Sequence, residues 1–497
     1  MSTTLELPAV NDSVREFVRR EKKLFIGGKW VNSVSGKTFP VFDPATGEKL
    51  CVVPEGGPED VEAAVSAARQ ALERWRETAP AQRAELIWRL GDKISEHAEE
   101  LAQIEALNVG KPVYEALMGD VPGAADHFHY YAGWPTKWTG ETLNLSFPGK
   151  VLAYTRREPV GVVAAIVPWN FPLMILSWKL APALAAGNTV IIKPASYTPL
   201  SALRLVELAE EVGFPSGVIN IVTGPGSTVG MALAEHKGVN KVSFTGSTET
   251  GREIMRAAAG NFKRLSLELG GKTANIIFPD ADMGMAVGGA FMGIFMNQGE
   301  VCVAGSRLFV PKAHFDEVIS ALTERASEIN QGPGVDPTVT MGPLISKSHM
   351  DRVMSYIEKG KAEGAELVLG GETNPAAGPG YFVKPTIFVG RDDMTIAREE
   401  IFGPVLTALP FEDIDDVVRR ANASPYGLGA AVWTKDVAKG IEVAHRLEAG
   451  SVWVNGFGIM DSSGAWGGFK ESGMGREMGR YAMEAFTEVK FVGVNLG

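Results

Sequence analysis

Between Val160 and Glu268 short apolar runs alternate with amphipathic stretches at a regular spacing. The runs GVVAAIV (161–167), NTVIIKP (188–194), GVINIVT (217–223), KVSFTG (241–246) and RLSLELG (264–270) predict buried strands. Helix-like segments separate them: LMILSWKLAPALAAG, PLSALRLVELAEEVG, STVGMALAEHKG and STETGREIMRAAAG. Three of these close on a glycine suited to a helix C-cap, and Gly238 is placed to serve the other. Strand–helix alternation at this spacing predicts a parallel sheet with helices on both faces, whose ligands sit at the carboxyl ends of the strands.

A second alternation runs from Ala274 to about Gly456, with strand-like ANIIF, SRLFVP, AELVLGG, PTIFVG, VLTALPF, GAAVWT and SVWVN. Gly371–Pro385, rich in Gly, Pro and Asn, reads as a surface connection, and Asp60–Gly110 reads as helical and amphipathic. Lys150–Glu158 and the later EAFTEVKFVGVN are alternating strands outside either pattern. Strand edges left unpaired invite association, so an oligomer is predicted. Residues 160–178 have the length of a membrane span with Asn170 as the only clearly polar side chain. Pro168 and Pro172 would break such a helix and β-branched residues fill its first half, so a strand, a turn and an apolar helix are predicted instead.

Composition narrows the class. At 497 residues the chain exceeds a single hydrophobic core, so two or more domains are expected. Lysine and arginine number 48 against 59 acidic residues, a net charge of −11 that disfavours nucleic acid and anionic membranes as partners. Only Cys51 and Cys302 occur, which rules out a disulfide framework and points to a reducing, cytoplasmic compartment. The seven histidines form no metal signature; His127 and His129 read as two surface histidines, and no metal is predicted. Met1–Arg20 lacks the basic start and apolar core of a signal peptide and reads as a polar extension.

Several glycine turns fall where a strand hands over to a helix. Gly246-Ser-Thr-Glu-Thr-Gly251 would offer free N–H groups and a helix dipole to a pyrophosphate. Arg252 and Glu253 replace the Lys and Ser/Thr of a P-loop, and Val229 spoils a dinucleotide fingerprint after Gly224-Pro-Gly226. Gly271-Lys272-Thr273 resembles the end of a P-loop, with Ser266 in place of its first glycine. Each alone is more often a simple turn, but several on one sheet favour a nucleotide.

Cys302 lies in Asn297-Gln-Gly-Glu-Val-Cys-Val-Ala-Gly-Ser-Arg307. A lone cysteine is commonly a small buried hydrophobe. Here it follows a helix-like run and precedes the strand SRLFV among polar residues, where a backbone N–H could hold an oxyanion. Glu268 ends a strand among apolar neighbours that would raise its pKa toward that of a general base. Spacing alone does not pair it with Cys302, and a surface or salt-bridged carboxylate remains the bland reading.

Taken together these motifs resemble the aldehyde dehydrogenase superfamily from roughly Phe25 to Val492. Its two signatures match Leu267-Glu-Leu-Gly-Gly-Lys-Thr273 and the Asn297–Arg307 segment. Supporting matches are Pro168-Trp-Asn-Phe-Pro172, Ile192-Lys-Pro-Ala-Ser196, Phe244-Thr-Gly-Ser-Thr248, Glu400-Ile-Phe-Gly-Pro404 and Gly467-Gly-Phe-Lys-Glu-Ser-Gly473. The resemblance implies an α/β fold with a Rossmann-type cofactor domain (1–141 and 160–270), a second α/β catalytic domain (271–470) and a small β oligomerisation element (142–159 and 471–497).

It further implies that Cys302 is the nucleophile, Asn170 with the Cys302 N–H the oxyanion holder, and Glu268 the activator of water. Lys193, Ser196 and Trp169 would lie near the adenosine ribose, Gly246 and Ser247 at the pyrophosphate, and Glu400 and Phe402 at the nicotinamide ribose, with Gly226 also against the cofactor. NAD is the implied cofactor. Many NAD-specific members carry glutamate at position 196; serine removes that charge, so NADP is expected to be accepted as well. Glu300 stands where many relatives have glutamine, and an inward side chain would raise the cysteine pKa.

The implied substrate channel comprises Phe171, Met174, Trp178, Phe295, Met296, Val301, Val303, Phe457, Met460 and Trp466, several of which double as core residues. Few charges among them suggest an aromatic or medium-chain apolar aldehyde, and Ser13-Val-Arg-Glu-Phe17 and Thr142-Leu-Asn-Leu-Ser-Phe-Pro148 look most like the phenylacetaldehyde dehydrogenase branch. A homo-oligomer, dimer or tetramer, is implied. The competing readings are a CoA-acylating relative, against which Glu268 speaks, a non-catalytic member of the fold, and a cysteine hydrolase, which leaves the glycine turns unexplained.

Overall fold

The computed structural model describes residues 10–497, among which lie two large sheets, a small three-stranded one and two two-stranded ribbons. All five strands predicted between 160 and 270 form, as Val162–Ile166, Thr189–Lys193, Ile219–Ile221, Lys241–Thr245 and Arg264–Glu268. They run parallel in the order 219–221, 189–193, 162–166, 241–245, 264–268, with Thr245 opposite Glu268 at the carboxyl edge. Being covered on both faces, their residues are almost all buried, which is why they read as unbroken apolar runs.

The edges were not visible in the sequence. A hairpin, Leu24–Ile26 and Lys29–Val31, extends one side of the sheet, and Gly473–Met474 pairs antiparallel with Arg264–Glu268 on the other. The hairpin turn is Gly27-Gly28, both with positive φ (60° and 80°), which the tight reversal requires.

The seven-stranded second sheet contains every strand expected after Ala274, in the order 366–369, 386–389, 405–411, 307–311, 274–277, 429–433, 451–454. Only residues 269–273 separate the last parallel strand of the first sheet from Ala274–Ile277 of the second. That short link brings Glu268, at a carboxyl edge, next to the second sheet.

The helical stretch 60–110 is three helices, Pro58–Glu77, Pro80–Glu96 and Ala98–Val109. Pro80, a poor interior residue, starts the second of them. Residues 160–178 form a strand, a turn and the start of helix Pro172–Ala185, and no described helix is long and apolar enough to cross a membrane.

Other expectations need correction. The polar extension lies outside the described residues for positions 1–9, but Asp12–Arg19 is a helix that buries Val14, Phe17 and Val18. The 227–238 segment is helical, a π turn at Gly226–Gly230 running into helix Met231–Glu235, but it ends before Gly238. The two apparently orphan strands find each other: Val151–Pro159 pairs with Thr487–Asn495 along its length, and Thr142–Leu143 adds a third, short strand. His127 is buried at 4% exposure, not on the surface, while His129 is half-buried and bonded to Asp92.

Candidate active site

Helix Met283–Phe295 ends just before Cys302, and the chain turns back through three residues of positive φ, Asn297 (45°), Gln298 (56°) and Gly299 (73°). A Cβ at position 299 would stand 2.3 Å from the Gly403 carbonyl oxygen, so the close approach demands glycine. Left-handed Asn297 is held by bonds at both ends. Its N–H donates to Glu115 Oε2 (3.0 Å), and its Nδ2 donates to the carbonyls of Asn170 (3.1 Å) and Glu300 (3.2 Å).

Asn170 follows the Val162–Ile166 strand and precedes helix Pro172–Ala185. Its side chain is buried, and Nδ2 donates to the Glu300 carbonyl at 2.8 Å. The Glu300 side chain turns away from this cluster: Oε1 accepts from the Ile345 N–H at 2.9 Å and lies 3.7 Å from His349 Nε2. Burial pushes the Glu300 carboxyl well above its ordinary range.

The Cys302 thiol is pushed up to about 12, first by burial and then by the charges of Glu400 and Glu268. Glu268 is itself buried, and neither of its carboxylate oxygens has a hydrogen-bond partner among the described residues. Burial raises it well above the carboxylate range, Glu477 raises it further, and Lys179 and Arg476 oppose the rise. It is buried, and no described residue forms a salt bridge with it.

Cys302 opens on a cavity of about 230 Å³ lined also by Trp169, Asn170, Thr245, Gly246, Ser247, Glu400 and Phe402. Ser247 caps helix Thr248–Ala258, its hydroxyl accepting from the Thr250 N–H. Glu400 accepts from the Gly271 N–H at 2.9 Å, and burial raises its carboxyl to about 7. Phe402 has a positive φ of 65° and meets Trp169 edge-on at 5.2 Å.

Lys193, Ser196 and Gly226 do not line this cavity but gather at the carboxyl ends of neighbouring strands. Lys193 is buried without hydrogen bond or ion pair among the described residues, and burial lowers its ammonium to about 8. A Cβ at Gly226 would lie 3.9 Å from Lys193 Nζ, and the Ser196 hydroxyl donates to the Gly224 carbonyl at 3.0 Å. An unpaired buried cation beside a glycine and a hydroxyl suits a sugar or a phosphate. Among the described residues no group of three or more metal-ligating side chains occurs.

The aldehyde dehydrogenase family profile matches residues 30–492. The chain belongs to the aldehyde dehydrogenase family. It is 48% identical to a phenylacetaldehyde dehydrogenase of Pseudomonas fluorescens over 492 residues, 97% of each chain. With aldehyde dehydrogenase 1A1 of Homo sapiens it shares 47% identity over 479 residues, 95% of each chain. Among solved structures, the NAD+ complex of an aldehyde dehydrogenase from Bacillus cereus superposes with a TM-score of 0.96 at 49% identity, covering 98% of this chain and 99% of the other.

In this aldehyde dehydrogenase, Phe171, Trp178, Phe295, Val301, Val303, Phe457 and Trp466 are buried in one apolar cluster, with Cys302, Met174 and Met296 packed against it. Trp178 and Trp466 face each other at 5.5 Å. Met460 stands apart, exposed and outside the cluster. Sequence reading missed His349 and Arg352, which also line the Cys302 cavity from helix Lys347–Ala362. His349 Nε2 donates to the Phe402 carbonyl at 2.7 Å, and Arg352 donates to that of Glu400 at 3.2 Å. Both sit on an ordinary amphipathic helix with no motif around them, so no local signal marked them.

Proposed function

We propose that this enzyme oxidises an aromatic or medium-chain apolar aldehyde, such as phenylacetaldehyde, to the carboxylic acid with NAD, and accepts NADP. The observation that carries the reading is the convergence of Cys302, Asn170, Glu400 and Phe402 on one cavity, whose thiol adjoins an apolar cluster. The 48% identity to a phenylacetaldehyde dehydrogenase supports the substrate class.

On this reading the Cys302 thiol loses its proton and the sulfur attacks the aldehyde carbon. The resulting oxyanion takes the second Asn170 N–H and the Cys302 N–H, because one Asn170 N–H is already committed to Glu300. Glu400 and Phe402 would hold a nicotinamide, which would supply the hydride acceptor. What remains on Cys302 is a thioester. Glu268, with no hydrogen bond to hold it, takes a proton from water as the water attacks the thioester carbon. The acid leaves and the thiol is restored.

Lys193, Ser196 and Gly226 are assigned to the adenosine half of the cofactor, Gly246 and Ser247 to its phosphates, and Trp169, expected near the adenosine but lying against Phe402 in the Cys302 cavity, to the nicotinamide side. The hydroxyl of Ser196 and the unpaired ammonium of Lys193 favour a 2′-phosphate as well as a free ribose. Residues 1–141 and 160–270 are assigned to the cofactor and 271–470 to catalysis. Residues 142–159 and 471–497 are assigned to a homo-oligomer, dimer or tetramer.

The test is reduced-nicotinamide absorbance with a panel of aldehydes, with NAD and with NADP, beside Cys302→Ala. Turnover of phenylacetaldehyde that vanishes in the variant is the expected result. Turnover confined to small polar or charged aldehydes overturns the substrate class. An efficiency favouring NAD by many thousandfold overturns the NADP claim.

A further inference from the structure

His127 lies on helix Val121–Ala132, which packs on helix Pro172–Ala185. Its Nδ1 is hydrogen-bonded to the Gly123 carbonyl, one turn back on its own helix. A carbonyl can only accept, so Nδ1 carries the proton and Nε2 presents a bare lone pair. That nitrogen is buried and has no partner among the described residues. Burial depresses the imidazole pKa, against the charges of Asp126, Asp461 and Glu477, which keeps the ring neutral.

Trp178 faces it from the second helix, with ring centroids 6.0 Å apart and planes tilted by 48°. The Trp178 Nε1–H is also buried and without a partner. One acceptor and one donor, each unmet, therefore sit on neighbouring buried rings, where an unmade hydrogen bond is costly. Trp178 also belongs to the apolar cluster of Phe171, Phe295, Phe457 and Trp466 against which Cys302 packs. Trp178 thus stands in the wall assigned to the substrate, and His127 meets its ring from the neighbouring helix.

We propose that His127 Nε2 and Trp178 Nε1 form a specificity site for a hydroxyl group on an aryl aldehyde. The claim rests on the aromatic-aldehyde reading given above. A hydroxyl donates to His127 and accepts from Trp178 at once. A carbonyl or ether oxygen can only accept and leaves His127 unmet, an ammonium can only donate and leaves Trp178 unmet, and an unsubstituted ring leaves both unmet. Sites built around such pairs discriminate strongly, because the analogue lacking the group leaves buried polar atoms unpaired.

The experiment compares kcat/KM for phenylacetaldehyde and its ortho-, meta- and para-hydroxy derivatives in the parent enzyme, His127→Leu and Trp178→Phe. The readout is the ratio of each hydroxylated substrate to phenylacetaldehyde, which cancels losses of folded enzyme. One isomer is expected to exceed phenylacetaldehyde by about tenfold or more in the parent. Each variant should bring that ratio down toward one. Turnover of phenylacetaldehyde with no isomer preferred overturns the site alone, as does a preference that survives both substitutions. Oxidation of propanal with none of the four aryl aldehydes overturns the aromatic reading, and the site with it.

Discussion

At the scale of single residues the site is set for chemistry by burial. The thiol of Cys302 ionises at about 12, raised by burial, then Glu400, then Glu268. Alkylation of the cofactor-free enzyme by iodoacetamide should therefore be slow at pH 7 and climb without a plateau to pH 10, since the thiolate fraction grows with every step in pH. Glu400→Gln removes the larger of the two charges and should speed alkylation at pH 8; an unchanged rate would contradict that ordering. Asn170→Ala leaves the oxyanion with one donor, and kcat is expected to fall about 10²–10³-fold with a smaller change in KM. Glu268→Gln should form the thioester and stall there. Stopped-flow absorbance would then show one equivalent of reduced cofactor followed by almost no steady state, whereas undiminished turnover would exclude Glu268 as the base.

At the scale of elements, the strands of both large sheets were legible because their cores are continuous runs of Val, Ile, Leu and Ala. Cys302, Glu268 and Asn170 stood out through spaced motifs. The Asn297-Gln298 reversal was not legible, because left-handed backbone at two non-glycine residues is held by Glu115, Asn170 and Glu300, far apart in sequence. The burial of His127 and the aim of Glu300 were hidden for the same reason. Which way a side chain points depends on which helix or loop covers it. Glu300 shows the consequence. Its folded pKa is raised, so the fold favours the neutral carboxyl, whereas the unfolded chain ionises near 4.5. The stability it contributes is whole below that value and is lost as pH rises through the folded pKa. Glutamine keeps an acceptor for the Ile345 N–H and cannot ionise. Glu300→Gln should accordingly raise Tm more at pH 9 than at pH 5, by calorimetry at the two values; an equal shift at both would show that the carboxyl does not titrate in the fold.

At the scale of the whole molecule, the small sheet is incomplete. Thr487–Asn495 pairs with Val151–Pro159 on one side, and no described strand covers its other edge. The strand is too apolar for a solvent edge, with Val489 at 56% and Phe491 at 55% exposure. Those two residues are separated by one position and so share a face of the sheet, while Val494 lies opposite Leu152 on the other. Natural sheets seldom leave such an edge free, and contiguous apolar surface of this kind marks contact with another chain. The two strands satisfy each other within one chain, so the case for an oligomer rests on this remaining edge and on its apolar face. Val489→Asp with Phe491→Asp places two carboxylates on that face without touching Cys302. Sedimentation should find a dimer or tetramer for the parent and a smaller species for the double variant. If the parent sediments as a monomer, the apolar edge has another occupant; if the variant keeps the parent's mass, the copies meet elsewhere.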